Sequence, residues 1–189
     1  MLAGKRILLI VGGGIAAYKA LDLVRRLRER GASVVPVLTK AGGEFVTPLS
    51  LSALAGARVY RDLFDLTDEA EMGHIQLSRA ADIVAVVPCT ADLMAKMAGG
   101  HADDLASTLL MATDKRVLVA PAMNVRMWQH PAMQRNLKAL ISGGILVVGP
   151  NEGDMACGEY GPGRMAEPLE IVAALEAALG GGRLAGRRV

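Results

Sequence analysis

The sequence predicts an α/β fold, a Rossmann-like doubly wound parallel sheet with helices on both faces. Three observations carry this reading. Short apolar runs without hydrophobic–polar alternation recur along the chain, as strands buried on both faces require. Stretches with helical periodicity separate them. A glycine triplet, Gly12-Gly13-Gly14, stands between the first run and the first periodic stretch, where a strand turns into a helix.

Lys5 to Val11 (KRILLIV) is the first strand and leads directly into the glycines. From Ile15 to Arg30 the residues Tyr18, Leu21, Val24, Leu27 and Arg28 recur at helical spacing with charges opposite, and Gly31 stops the helix. Val34 to Leu38 forms the second strand; Ile83 to Val87, ending in Pro88, forms the third. Val117 to Ala120 and Ile145 to Val148 read as two more, each running into a proline-containing turn. Helices are expected around Leu49 to Leu54, His74 to Ala81, Thr90 to Ala98, Asp103 to Ala112 and Pro131 to Ile141. Ligands of such sheets bind beyond the carboxyl ends of the strands, so the loops starting at Gly12, Thr39, Pro88, Pro121 and Pro150 are where function is sought.

With 189 residues, 52% of them apolar, the chain buries a domain-sized core, which excludes a disordered tail. A net charge of +2 and 3% aromatic residues give no footprint for nucleic acid. The longest uncharged stretches, Phe45 to Ala57 and Ala139 to Asn151, are 13 residues each, short of the ~20 of a spanning helix, so no membrane segment is expected. The apolar stretch near the N-terminus ends in glycines with no cleavage site after it, and the reading is cytoplasmic. Two cysteines and three histidines are too few and too scattered for a metal site. Leu2 to Ile7 (LAGKRI) recurs, conservatively altered, as Leu184 to Val189 (LAGRRV). This predicts one domain over 1–179, with 180–189 a linker and the truncated start of a second; a frayed basic tail is the alternative.

Gly12 to Ala17 fits the loose pattern GxGxxA, whose backbone N–H groups and helix dipole attract a phosphate. A dinucleotide also needs an acid at the end of the second strand to hold its ribose, and this chain has Thr39-Lys40 there. A hydroxyl and an ammonium suit a terminal phosphate, which favours FMN over NAD; glycines serving only helix–strand packing are the alternative. His74 follows Gly73 at the expected start of a helix, where the dipole keeps an imidazole neutral and available as a base, or where it is simply a polar cap. Asn124, in Pro121 to Trp128, is either a holder of a substrate carboxylate or amide, or a turn-former before a helix. Gly153 to Met165 carries four glycines and Cys157, the composition of a mobile lid whose thiol either donates a proton or packs as a small apolar group.

His74 within Gly-His-Ile-Gln-Leu-Ser, the segment Pro-Ala-Met-Asn-x-x-Met-Trp, and Ala-Cys-Gly-x-x-Gly-x-Gly-Arg-Met together resemble the phosphopantothenoylcysteine decarboxylases, of the homo-oligomeric flavin-containing Cys decarboxylase family. The resemblance runs from about Lys5 to about Leu179. It implies a flavoprotein version of the fold, with FMN as cofactor, 4'-phosphopantothenoylcysteine as substrate and 4'-phosphopantetheine as product. It also implies homotrimers with FMN at the subunit interface, assembled into homododecamers. A fused phosphopantothenate-cysteine ligase domain, which the repeat at Leu184 resembles, is expected as well. The chemistry has a reason: direct loss of carbon dioxide from an N-acylcysteine leaves an unstabilised carbanion. Oxidation of the thiol to a thioaldehyde must come first, and the resulting ene-thiol is then reduced. Carried over, His74 is the base, Asn124 grips the substrate carboxylate, and Cys157 is the acid of the final reduction. Gly13, Gly14, Thr39, Pro88, Thr90, Ala91, Ser107 and Met123 match cofactor-lining positions, and Met127 and Arg164 join Asn124 in binding substrate. Many members have Ser or Thr at Gly12, so one hydroxyl contact near the phosphate is expected to be missing. A peptidyl-cysteine decarboxylase, which needs no lid cysteine, and a non-catalytic flavin-binding regulatory module are the competing readings.

Overall fold

The computed structural model describes residues 1–64 and 70–180. Five strands, β1 (Arg6–Val11), β2 (Ser33–Leu38), β3 (Ile83–Cys89), β4 (Val117–Pro121) and β5 (Leu146–Val147), form one parallel sheet in the order β2-β1-β3-β4-β5. The runs lack polar alternation because both faces are covered. Ile7, Leu9 and Val11 face one core, formed with α1 (Tyr18–Glu29), α2 (Pro48–Ala55) and α8 (Pro168–Gly180). Leu8 and Ile10, on the alternate face, join the other core under α3 (Ala70–Ala80), α4 (Ala91–Gly99), α5 (Leu105–Ala112) and α7 (Pro131–Ser142).

Helix starts are set by side-chain caps. Thr47, Thr90, Asp104 and His130 accept backbone N–H groups at the heads of α2, α4, α5 and α7, which satisfies donors the helix itself leaves open. The strand order reverses between β1 and β3, and there the Gly12 N–H donates to the Pro88 carbonyl at 3.2 Å. The loops after both strands therefore open side by side, the expected place for a ligand.

Several elements depart from the expectations. The first helix is preceded by a 3-10 turn at Ile15–Ala17, and its buried stripe is Lys19, Ala20, Leu23, Val24 and Leu27; of the residues expected there, Val24 and Leu27 are buried, Leu21 is half-buried, and Tyr18 (59%) and Arg28 are exposed. α3 begins at Ala70 and not at His74. The glycine-rich segment expected to be a loose lid is an antiparallel hairpin, β6 (Asn151–Asp154) with β7 (Tyr160–Arg164). α8 was not among the expected helices, and α6 (Val125–Gln129) is a short helix that begins directly after Asn124, ahead of the one expected from Pro131. The repeat at 184–189 lies outside the described residues. Among the described residues no helix is long and apolar enough to cross a membrane.

Candidate active site

Two cavities open on either side of the glycine loop. The first, about 900 Å³, lies beyond β1, β2 and β3 and is lined by Gly13, Thr39, Lys40, Arg61 and Thr90, with α4 and α5 residues opposite. The second, about 400 Å³, is lined by Gly14, Lys19, Met123, Asn124, Cys157 and Arg164 among others. Both volumes suit small molecules of cofactor or substrate size.

Glycine is required in the loop for contact reasons. A Cβ on Gly13 would stand 2.5 Å from the Cβ of Ala41, and one on Gly12 would stand 2.5 Å from the Pro88 carbonyl oxygen. At Gly12 this backbone leaves no room for a side chain without a shift of its neighbours. Gly14, at φ +154°, faces open space, so its backbone is available to a ligand. Thr39 corrects the phosphate argument: its hydroxyl donates to the Val11 carbonyl (3.2 Å) and accepts the Gly42 N–H (2.9 Å), so it shapes the loop. Lys40 and Arg61 remain as cations on that side of the cavity. Across from them Lys96 lies within 4 Å of Asp92, Asp103 and Asp104 and neutralises an otherwise acidic wall. Burial alone would raise the Asp104 carboxyl, but its hydrogen bonds from Ser107 and the charge of Lys96 hold it below the usual range. The cavity thus suits a phosphorylated cofactor held through loop backbone, Lys40 and Arg61.

Asn124 caps α6, its Oδ1 accepting the Met127 N–H at 2.8 Å, so only its NH2 end, two donors, is left for a ligand. A pair of donors suits a carboxylate. Cys157 is exposed at the tip of the hairpin, whose turn is closed by the Met155 N–H on the Glu159 carbonyl (2.9 Å). The hairpin itself is not loose. Gly163 accepts the Met123 N–H at 3.0 Å, and a Cβ on Gly163 would stand 2.3 Å from the Met123 carbonyl oxygen. Strand β7 therefore rides directly on the loop that carries Asn124, which is how one cavity comes to hold both residues.

Other candidates fall elsewhere. His74 lines neither cavity; it sits more than a turn inside α3, half-buried, so the argument from a helix start lapses. Ser107 also lines neither, since its hydroxyl completes the capping box of α5 with Asp104. Pro88, Ala91 and Met127 lie beside the cavities without lining them, Pro88 and Met127 acting through the backbone contacts given above. Cys89 is fully buried, which pushes its thiol up and leaves it inert. Arg61 and Lys96 of the first cavity escaped the sequence reading, and so did one lining residue of the second: Lys19, 9% exposed, bound to Glu167 at 2.7 Å. The signal was present, because a lysine inside the stripe that continues as Leu23 and Leu27 breaks the amphipathic pattern.

The Flavoprotein family matches residues 1–180. The chain is 52% identical over 188 residues to the coenzyme A biosynthesis bifunctional protein CoaBC of Vibrio cholerae, covering 100% of this chain and 47% of that protein. It thus spans about half the length of the curated relatives it matches. Among solved structures it is similar to a cysteine-to-serine mutant of PPC decarboxylase complexed with pantothenoylaminoethenethiol, at a TM-score of 0.83 and 35% identity over 92% of this chain and 97% of that one. It is likewise similar to the FMN binding protein AtHal3, at a TM-score of 0.80 and 36% identity over 92% and 95%.

Proposed function

The chain belongs to the Flavoprotein family, and on that premise we propose that it is the cytoplasmic FMN-dependent decarboxylase that turns 4'-phosphopantothenoylcysteine into 4'-phosphopantetheine in coenzyme A biosynthesis. The observation that carries this reading is the second cavity, where a carboxylate-directed amide and a thiol face one space beside the glycine loop. A peptidyl-cysteine decarboxylase has no use for that thiol.

Gly13, Gly14, Lys40, Arg61 and Thr90 would hold FMN, with Met123 on the side toward the second cavity. When bound, FMN supplies a two-electron acceptor that is restored by the end of the cycle, so the decarboxylation is redox-neutral. Asn124 donates its NH2 hydrogens to the substrate carboxylate and holds the bond to be broken in place. His74 accepts the proton released as the substrate thiol is oxidised. It lines neither cavity of its own chain, so a second copy delivers it, as homotrimers with the site at the subunit interface allow. Cys157 gives the proton that completes reduction of the ene-thiol. The ligase half of the relatives, and assembly of trimers into dodecamers, belong to the same proposal.

The test is to incubate the purified protein with the substrate and follow carbon dioxide and products by mass spectrometry, beside Cys157→Ser. A thiol has an unperturbed pKa of about 8.5 and a serine hydroxyl is a far weaker acid. The wild type should give phosphopantetheine. The variant should bind FMN, release carbon dioxide and stall at an ene-thiol two hydrogens lighter. Fully reduced product at the wild-type rate would remove Cys157 from the mechanism.

A further inference from the structure

We propose that Glu167, a residue outside both cavities, is a positioning residue: it locks the hairpin that carries Cys157 onto α1 and so sets where the thiol stands. The inference rests on the decarboxylase reading and deepens it. Glu167 lies between β7 and α8, and its Oε1 takes Lys19 Nζ at 2.7 Å and the Arg164 guanidinium at 3.5 Å. Lys19 belongs to α1 and Arg164 ends β7, so one carboxylate joins two walls of the second cavity. The joint is itself braced. The Glu167 N–H donates to Glu170 Oε2 at 2.7 Å, and Asn151 Nδ2, at the start of β6, donates to the same oxygen at 2.7 Å. The Glu167 N–H, then the Asn151 amide, keep the Glu170 carboxyl below the usual glutamate range, and therefore charged as an anchor. Both strands of the hairpin are thus rooted at one point.

Lys19 is the reason the tie matters. Its side chain is nine-tenths buried and Glu167 is its ion-pair partner among the described residues. Neutralising Glu167 leaves a buried cation without its ion pair, with the more distant Glu170 charge left to balance it and a second cation, Arg164, beside it; the hairpin root is the part that can move away. The chemistry of the early steps rests on Asn124 and on His74, with which Glu167 shares no bond; through Arg164 it bears on substrate affinity, a KM effect that saturating substrate removes. The last step depends on Cys157, at the far end of the hairpin.

Glu167→Gln in the complete chain, loaded with FMN, tests this. At saturating substrate, carbon dioxide release should stay within about twofold of the wild type. The ratio of ene-thiol to phosphopantetheine should rise on the order of tenfold, as expected when a charge-assisted bond is lost. Without substrate, hydrogen exchange at the Met123 amide, which is bonded to Gly163, should quicken on the order of tenfold while amides of β1 and β3 do not change. Glu167→Asp, still charged but one methylene shorter, should fall between. An unchanged product ratio with unchanged exchange overturns the proposal. So does a parallel fall in bound FMN, carbon dioxide and product, which marks a general structural role. A wild type that releases no carbon dioxide overturns the decarboxylase reading instead, and exchange at Met123 then decides on the tie alone.

Discussion

The two cavities beside the glycine loop are built from different kinds of structure. The first is made by the ends of three parallel strands and by helices α4 and α5 with side-chain caps, so its walls belong to the sheet. The second has the sheet on one side only. Its other wall is a two-stranded hairpin held by a loop contact at Gly163 and by the Glu167 joint. The difference separates a cradle that follows from the fold from a chamber that is added to it. On the proposed function, a cofactor common to many chemistries would occupy the first and a substrate particular to one the second.

The largest effect expected bears on neither cavity of the isolated chain. His74→Asn should keep FMN yet lose on the order of 10² to 10⁴ in rate, the usual worth of a positioned base. Mixing this variant with Cys157→Ser, after dissociation and reassembly, should recover part of the activity by forming sites with an intact residue from each copy. No recovery would place both groups within one chain and break the division just drawn. Asn124→Asp sharpens it from the second side. Aspartate caps a helix as well as asparagine does, so α6 should persist, while a carboxylate now faces the substrate carboxylate. We expect KM to rise on the order of tenfold to a hundredfold with FMN affinity intact; FMN loss in a titration would show the cavities to be one. Gly13→Ala probes the first side. A methyl group 2.5 Å from the Ala41 Cβ must displace backbone, costing about 1–3 kcal/mol by thermal unfolding and weakening FMN binding, with KM unchanged in the fraction still loaded.

The same division governs what the sequence revealed. Apolar runs at Ile7 to Val11 and Ile83 to Val87 have one reading, since no half-exposed strand lacks polar positions, and the first cavity lies at their ends. The resemblance at Asn124, Cys157 and Arg164 marked residues that line the second cavity together. It did not show how they meet. Asn151 to Arg164 is rich in glycine and charge, with little of the alternation that announces a hairpin, because its register is set by contact with the Asn124 loop. His74 was misplaced for a local reason: Gly73 looked like a helix boundary, but α3 runs through it. The hydroxyls of Thr39 and Ser107 are engaged by local loop and cap geometry, a competition that residue type alone does not reveal, although Thr39 still lines the first cavity.

The placement of α8 decides how far the domain can be trimmed. Its Ile171, Val172 and Leu175 are buried in the core under α1, and near its end the Ala178 carbonyl accepts Arg116 Nη1 at 2.7 Å, just ahead of β4. Burying such a side chain is worth about 1.5–3 kcal/mol, against about 5–15 kcal/mol for a whole domain. Every residue given a chemical role precedes Met165, yet a fragment cut there would lose three of these side chains and expose the α1 face they cover. The smallest autonomous unit is therefore longer than the smallest set of working residues. A nick between the hairpin and α8 would leave this packing held by non-covalent contacts alone, without touching any residue of the proposed chemistry.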